Sequence, residues 1–218
     1  MLTFVEETCL LLLDEKGSEF LPIHPNIVEC ALAGAVLVDL AFAYRIDTDP
    51  KTLTVMDRTP IGEAMLDRIL VKIGEQAETT DTATWIKTLS ADESAAIQQQ
   101  ALDRLVERGI LEQQDKKSLL GFRKRRYLTV DGEAAREIKG RIKTLILSDD
   151  IPDPRDIALL SLLDSCGILP DIYPDVEFKS VGARIKQLRN MDLVGRDVFN
   201  AVTDIERAIV TARAHGAH

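Results

Sequence analysis

The sequence predicts a mostly α fold with a central apolar helix, amphipathic helices around it and one basic β-hairpin. Three observations carry that expectation. The longest apolar stretch, Ile27–Tyr44, is interrupted only by Glu29 and Asp39 and is too short between charges to span a bilayer unaided, so it reads as a buried central helix. Most other apolar residues recur at spacings of three and four between capping and stop signals. The segment Ile110–Tyr127 instead offers two short strands about a polar turn. With 218 residues, 45% of them hydrophobic and 5% aromatic, the chain has material for one large domain or two small ones with an aliphatic core. No linker, repeat or low-complexity segment divides it.

Taken in order, Thr3 and Glu6 form a capping box that starts a helix at Phe4, running to Leu10–Leu13 before Glu15-Lys16-Gly17 turns the chain. In the central helix, Leu32, Val36 and Leu40 together with Ala35, Val38 and Phe42 cover nearly the whole circumference. Short strands at 45–47 and 53–55 flank a turn carrying Asp49-Pro50, and Thr59-Pro60 announces the next helix. That helix takes Ile61, Met65, Leu66, Ile69, Leu70 and Ile73 to Gly74, and a short one follows around Trp85. Ser90 and Glu93 give a second capping box, opening a helix that ends at Gly109. In the hairpin the turn is expected at Gln113–Lys117. Asp131-Gly132 opens a helix with Ile138, Ile142, Leu145 and Ile146 on one side and Arg136, Lys139 and Lys143 opposite. Asp153-Pro154 starts a helix ending at Gly167, another covers about 176–189, and the last, about 196–212, aligns Val198, Val202, Ile205 and Ile209.

Charge is distributed unevenly. Ten of the 27 Lys and Arg residues lie within Lys116–Lys143 beside three acids, so that segment carries +7 and the remainder −16, for a total of −9. An acidic protein with one basic face is suited to meet something anionic at one place. Arg123, Lys124, Arg125 and Arg126 stand between Phe122 and Tyr127, and Arg136, Lys139 and Lys143 follow on the adjoining helix. Together they make a candidate phosphate or lipid-headgroup surface, since Arg offers a bidentate fork and Lys a point charge. The plain structural alternative is a solvated hairpin tip and a solvated helix face.

Other classes find less support. A helix followed by a basic hairpin outlines a winged-helix DNA reader, but the helix before it carries Asp92, Glu93, Asp103 and Glu107 against Arg104 and Arg108, so no nucleic-acid partner is expected. Glu6-Glu7 and Asp149-Asp150 are adjacent carboxylates that do not face each other on a helix. No cysteine or histidine has metal-site spacing, and nucleotide-binding and nucleophile-elbow patterns are absent from the sequence, so neither cofactor, metal nor catalytic residue is assigned. Cys9, Cys30 and Cys166, each in apolar surroundings, read as reduced core thiols. The N-terminal residues lack a basic leader region, and a cytoplasmic location is expected.

Several ordered segments resemble the Golgi phosphoprotein 3 family, which includes a yeast vacuolar sorting relative and bacterial members. These are Leu2–Leu13, Ala31–Ala41, Pro60-Ile61-Gly62 with Leu66-Asp67, Trp85-Ile86 with Leu89-Ser90, Leu105–Leu111, and Pro154-Arg155 leading into Ala158–Leu163. The resemblance covers nearly the whole chain and implies one helical domain, 1–218, with a projecting β-hairpin. It also implies a non-enzymatic adaptor that recognises phosphatidylinositol 4-phosphate, and a homo-oligomer formed through the hairpin at 110–127. The family's headgroup pocket uses a Trp, an Arg nine residues on, and two basic residues three apart on a later helix. Carried over, the basic pair falls on Arg136 and Lys139, while the Trp and Arg positions hold His24 and Ala33. Loss of an interfacial aromatic and a bidentate Arg, at about 1 kcal/mol each, predicts headgroup recognition more than tenfold weaker; His24 would replace a cation only when protonated, below about pH 6.5. The partners expected are anionic phospholipid headgroups at a membrane surface.

Overall fold

The computed structural model describes residues 1–14, 19–48, 52–76, 80–117, 123–130, 132–191 and 196–215, with the side chains at 115–117, 123–126, 196–202, 213 and 215 outside that description. It is mostly helical, as expected. The first helix, α1 (Phe4–Leu12), opens with the anticipated capping box: Glu6 N–H donates to Thr3 Oγ1 at 3.1 Å and Thr3 N–H to Glu6 Oε2 at 2.8 Å. The central helix α2 (Pro25–Phe42) is long and apolar enough to cross a membrane, with mean hydropathy 1.6, but two-thirds of it is buried inside the protein. Its core segment Cys30–Ala41 is covered by neighbouring helices, which identifies it as a core helix.

Strands β1 (Ile46–Thr48) and β2 (Leu53–Val55) pair antiparallel, Ile46 opposite Val55; the Asp49-Pro50 turn lies outside the described residues, as does Glu15-Lys16-Gly17. Helices α3 (Ala64–Glu75), α4 (Thr82–Asp92) and α5 (Ser94–Glu107) follow. Here the second capping-box expectation is corrected. Ser90 lies inside α4, and Glu93, at the junction of α4 and α5, makes no cap bond with its side chain. Its carboxylate is instead held by Arg68 and Lys72 of α3, and these partners hold its pKa below the ordinary range. Thr59-Pro60 also precedes the helix by several residues, because Glu63 supplies the cap, accepting from Leu66 N–H at 2.9 Å.

The hairpin consists of β3 (Leu111–Lys117) and β4 (Arg123–Thr129), paired from Leu111–Thr129 to Lys117–Arg123. The expected turn at Gln113–Lys117 is therefore wrong: those residues continue the ladder, and the connection is 118–122. Polar composition misled, since Glu112, Gln113 and Gln114 are exposed strand residues without alternating hydrophobics.

The remaining helices are α6 (Glu133–Leu147), α7 (Pro154–Cys166), a one-turn α8 (Leu169–Ile172), α9 (Phe178–Arg189) and α10 (Arg196–His215). Between Ile157 and Cys166, α7 is buried at every residue except Asp164, so it is a second central helix beside α2. Gly34 marks where the centre closes. A Cβ there would stand 2.6 Å from Ile209 Cδ1 of α10 and 2.8 Å from Leu162 Cδ1 of α7, so glycine lets three helices meet. Ile205 and Ile209 of the expected stripe on α10 are fully buried; the side chains of Val198 and Val202 lie outside the described residues. The buried apolar residues form one connected core. Cys9, Cys30 and Cys166 are buried within it as thiols outside any disulfide, and burial pushes the Cys9 thiol up to about 12.

Candidate functional site

The basic residues singled out by the sequence fall on two adjoining elements. The hairpin is anchored at its base. Tyr127 is buried against α5, its hydroxyl accepting from Gln99 Nε2 at 2.7 Å, and Val130 N–H donates to Ile110 O at 3.1 Å. Toward its far end the register places Lys116 opposite Lys124 and Lys117 opposite Arg123, followed inward by Asp115 opposite Arg125 and Gln114 opposite Arg126. Two consecutive cross-strand pairs thus unite like charges, an arrangement that destabilises a ladder. Arg123, Lys124, Arg125 and Arg126 all belong to β4; their side chains lie outside the described residues.

Helix α6 starts beside the base of the hairpin. Gly132 caps it with φ of 69°, a left-handed conformation that glycine adopts without strain. The periodicity expected for α6 holds: Ile138, Ile142, Leu145 and Ile146 are buried, leaving Arg136 exposed and Lys139 and Lys143 half-buried along one edge. Their fates differ. Arg136 folds back to donate from Nε to Gly132 O at 3.1 Å. Lys139 has no ion-pair partner among the described residues. Lys143 is paired with Asp175 in the loop before α9, and this hydrogen bond holds the Asp175 carboxyl below its usual range. Part of the anticipated free charge is thereby neutralised, because the tertiary fold brings an acid from 32 residues away.

His24 is not part of this arrangement. It is the N-cap residue of α2 and borders a groove formed with α4 and α10. Asp39, 15 residues along the same helix and so about 22 Å away, sits at the end where α1 and α6 dock. The Arg136/Lys139 edge therefore lies far from His24, and the two do not form one pocket. Ala33 is fully buried inside the core, so no headgroup contact comes from that position.

The structure also assembles a second charged cluster that no local pattern announced. Asp39, 7% exposed, accepts from Phe4 N–H at 2.9 Å and Val5 N–H at 3.2 Å, anchoring the positive end of α1 to the C-terminal part of α2. Burial pushes its carboxyl up to about 7 despite those two hydrogen bonds. Glu6, 1% exposed, also binds Arg104 of α5 and Arg108, the residue that caps its C-terminus, each at 3.1 Å, and Arg104 reaches Glu63 at 2.8 Å. Glu7 turns the other way, to Arg141 of α6 at 2.8 Å and Arg155 of α7 at 3.6 Å, while Arg141 also meets Asp156 at 3.1 Å. Burial opposes the Arg141 cation, but Glu7 and Asp156 outweigh it and hold its pKa above the ordinary value. The Arg155 guanidinium stacks 4.1 Å above the Phe4 ring. Adjacent Glu6 and Glu7 thus diverge, as helical geometry requires, and each ties α1 to a different neighbour.

Arg108, Arg141 and Arg155 border a cleft of about 580 Å³ with Leu2, Glu7 and Asp156, but they are already engaged by acids and backbone carbonyls. The cluster is therefore structural. Among the described residues no group of three or more His, Cys, Asp or Glu could hold a metal ion.

Comparison with protein families gives a match to the model for Golgi phosphoprotein 3 (GPP34) over residues 4–205, from the start of α1 into α10. The match includes both central helices, the hairpin and α6. On that extent the chain belongs to the Golgi phosphoprotein 3 family.

Proposed function

We propose that this protein is a non-enzymatic peripheral adaptor that docks reversibly on anionic phospholipid at the cytoplasmic face of a membrane. Its contact is the distal end of the β3–β4 hairpin together with Arg136 and Lys139 of α6. The observation that carries this reading is the hairpin register. Lys116 opposite Lys124 and Lys117 opposite Arg123 put four cations in two repulsive pairs, and a surface of phosphate groups relieves that repulsion. Each basic residue near an anionic leaflet contributes roughly 1 kcal/mol, so a cluster of this size holds the protein without an inserted anchor and releases it as salt rises. With His24 elsewhere and Ala33 buried, attraction is expected to follow surface charge more than the identity of one phosphoinositide.

Sedimentation with vesicles tests this. Phosphatidylserine-containing vesicles pellet the protein at low salt and not at 0.5 M, whereas neutral phosphatidylcholine vesicles do not. Equal pelleting with both lipids, or with neither, rejects the reading.

A second reading is a self-associating scaffold. Among the described residues the hairpin is a sheet of two strands alone, so each strand keeps an outer edge with no further strand paired to it. Light scattering separates the two: shortening the hairpin dissolves a scaffold's oligomer, but leaves the mass of a lipid-docking monomer unchanged.

A further inference from the structure

The β3–β4 ladder divides the hairpin's charges unequally between its two faces. Residues of a strand belong alternately to opposite faces, and residues paired across an antiparallel ladder share one. The register therefore puts three rungs on one face: Gln113 with Tyr127, Asp115 with Arg125, and Lys117 with Arg123. Glu112 with Leu128, Gln114 with Arg126, and Lys116 with Lys124 belong to the other. A two-stranded ribbon twists, but the twist carries both faces together and keeps each rung on its own face. The first face meets the body at its base, where Tyr127 is buried with its hydroxyl on Gln99 of α5, and its distal rungs include an acid, Asp115. On the second face Glu112 and Gln114 are exposed, and the two distal rungs bring Lys116, Lys124 and Arg126 together with no acid among them. Successive rungs of one face are about 7 Å apart and the strands about 5 Å apart, so those three cations share one small patch.

We infer that hairpin docking is one-sided: Lys116, Lys124 and Arg126 meet the anionic phospholipid surface, whereas the face of Lys117, Arg123 and Arg125 does not. This inference rests on the docking proposed above and specifies which residues make its contact. Charge complementarity selects lipid over a second copy of the chain as the occupant, since two copies of this face would set their cations against each other with no acid between them.

Two charge-matched variants of the full chain test this: Lys116→Gln/Lys124→Gln/Arg126→Gln and Lys117→Gln/Arg123→Gln/Arg125→Gln, one for each face. Sedimentation with vesicles of phosphatidylserine and phosphatidylcholine in equal parts is read at about 0.1 M salt, where screening over about 10 Å mutes cations on the far face. The first variant should bind at least about thirtyfold more weakly and the second less than about fivefold, both keeping the wild-type thermal melt. Asp115→Asn, which removes the acid of the other face, should change affinity by less than about twofold. Equal losses in the two variants, or a gain of about threefold or more in Asp115→Asn, overturn the one-sided contact and leave hairpin docking standing. A wild type that does not pellet overturns both. A lower mass of the first variant in light scattering would assign the face to a second copy of the chain and overturn this inference.

Discussion

The N-terminal charge cluster and the hairpin both concentrate basic residues, in different arrangements. Around α1, four arginines converge on Glu6, Glu7, Glu63 and Asp156, so that every cation meets a carboxylate and the result is a set of ties among α1, α5, α6 and α7. Along β3 and β4, Lys116, Lys117, Arg123 and Lys124 face one another in register. Arginine content therefore does not identify a binding surface. A cation that the fold pairs with an acid is removed from any such surface, and Lys143, held by Asp175, shows how one distant acid does this.

The largest effect is expected at Glu6. Glu6→Ala leaves Arg104 and Arg108 without their shared buried partner and opens the capping box. A loss of about 3 kcal/mol in urea unfolding is expected, at the lower end for breaking a buried ion pair because the arginines are about one-third exposed. A loss below about 1 kcal/mol would show that the cluster is not a structural tie. Next in size, Gly34→Ala forces a methyl between Ile209 and Leu162 and should cost about 1–3 kcal/mol, read as a lowered Tm, without altering vesicle binding.

A smaller effect belongs to Asp39. Its folded pKa is raised from 3.8 to about 7, so the folded state holds a proton that the unfolded chain has released between those values. Stability contributed by protonated Asp39 is therefore present at low pH and is lost as pH rises from about 4 to about 7. Asp39→Asn removes that part of the pH dependence, and the Tm-against-pH curve of the variant should be flatter across this window. Identical slopes would place the titration on other buried acids, such as Glu7 or Glu206, whose pKa values burial also raises. Smallest of all, Lys143→Ala removes an exposed pair and should shift Tm by no more than about a degree.

What the sequence made legible follows the same division. Local signals worked where the cause was local. The Thr3–Glu6 capping box, Asp153-Pro154 and the apolar stripe of α6 all lie within a turn or two of the structure they specify. They failed where a distant residue won. Glu93 has the right spacing from Ser90 to cap a helix, yet two cations of α3 offer it a stronger interaction, and α4 runs through Ser90. The pairing of Glu6 with Arg104 and Arg108 spans about a hundred residues, and no period encodes it. For the candidate site, the cation-rich run was visible as composition, but the hairpin register was hidden because a polar ribbon gives no alternating pattern from which to place the turn. Likewise, the separation of His24 from Arg136 depends on which end of α2 receives α1 and α6, which is a matter of packing.

We propose that the hairpin's cations meet an external anion, whereas those of the α1 cluster meet internal acids. The direct measurement compares wild type with Arg123→Ala/Lys124→Ala/Arg125→Ala/Arg126→Ala for both urea unfolding and sedimentation with phosphatidylserine-containing vesicles at low salt. Unfolding free energies equal within about 0.5 kcal/mol and vesicle affinity at least tenfold lower in the variant are expected. A variant that pellets like wild type, or that loses binding only because it has unfolded, would contradict it.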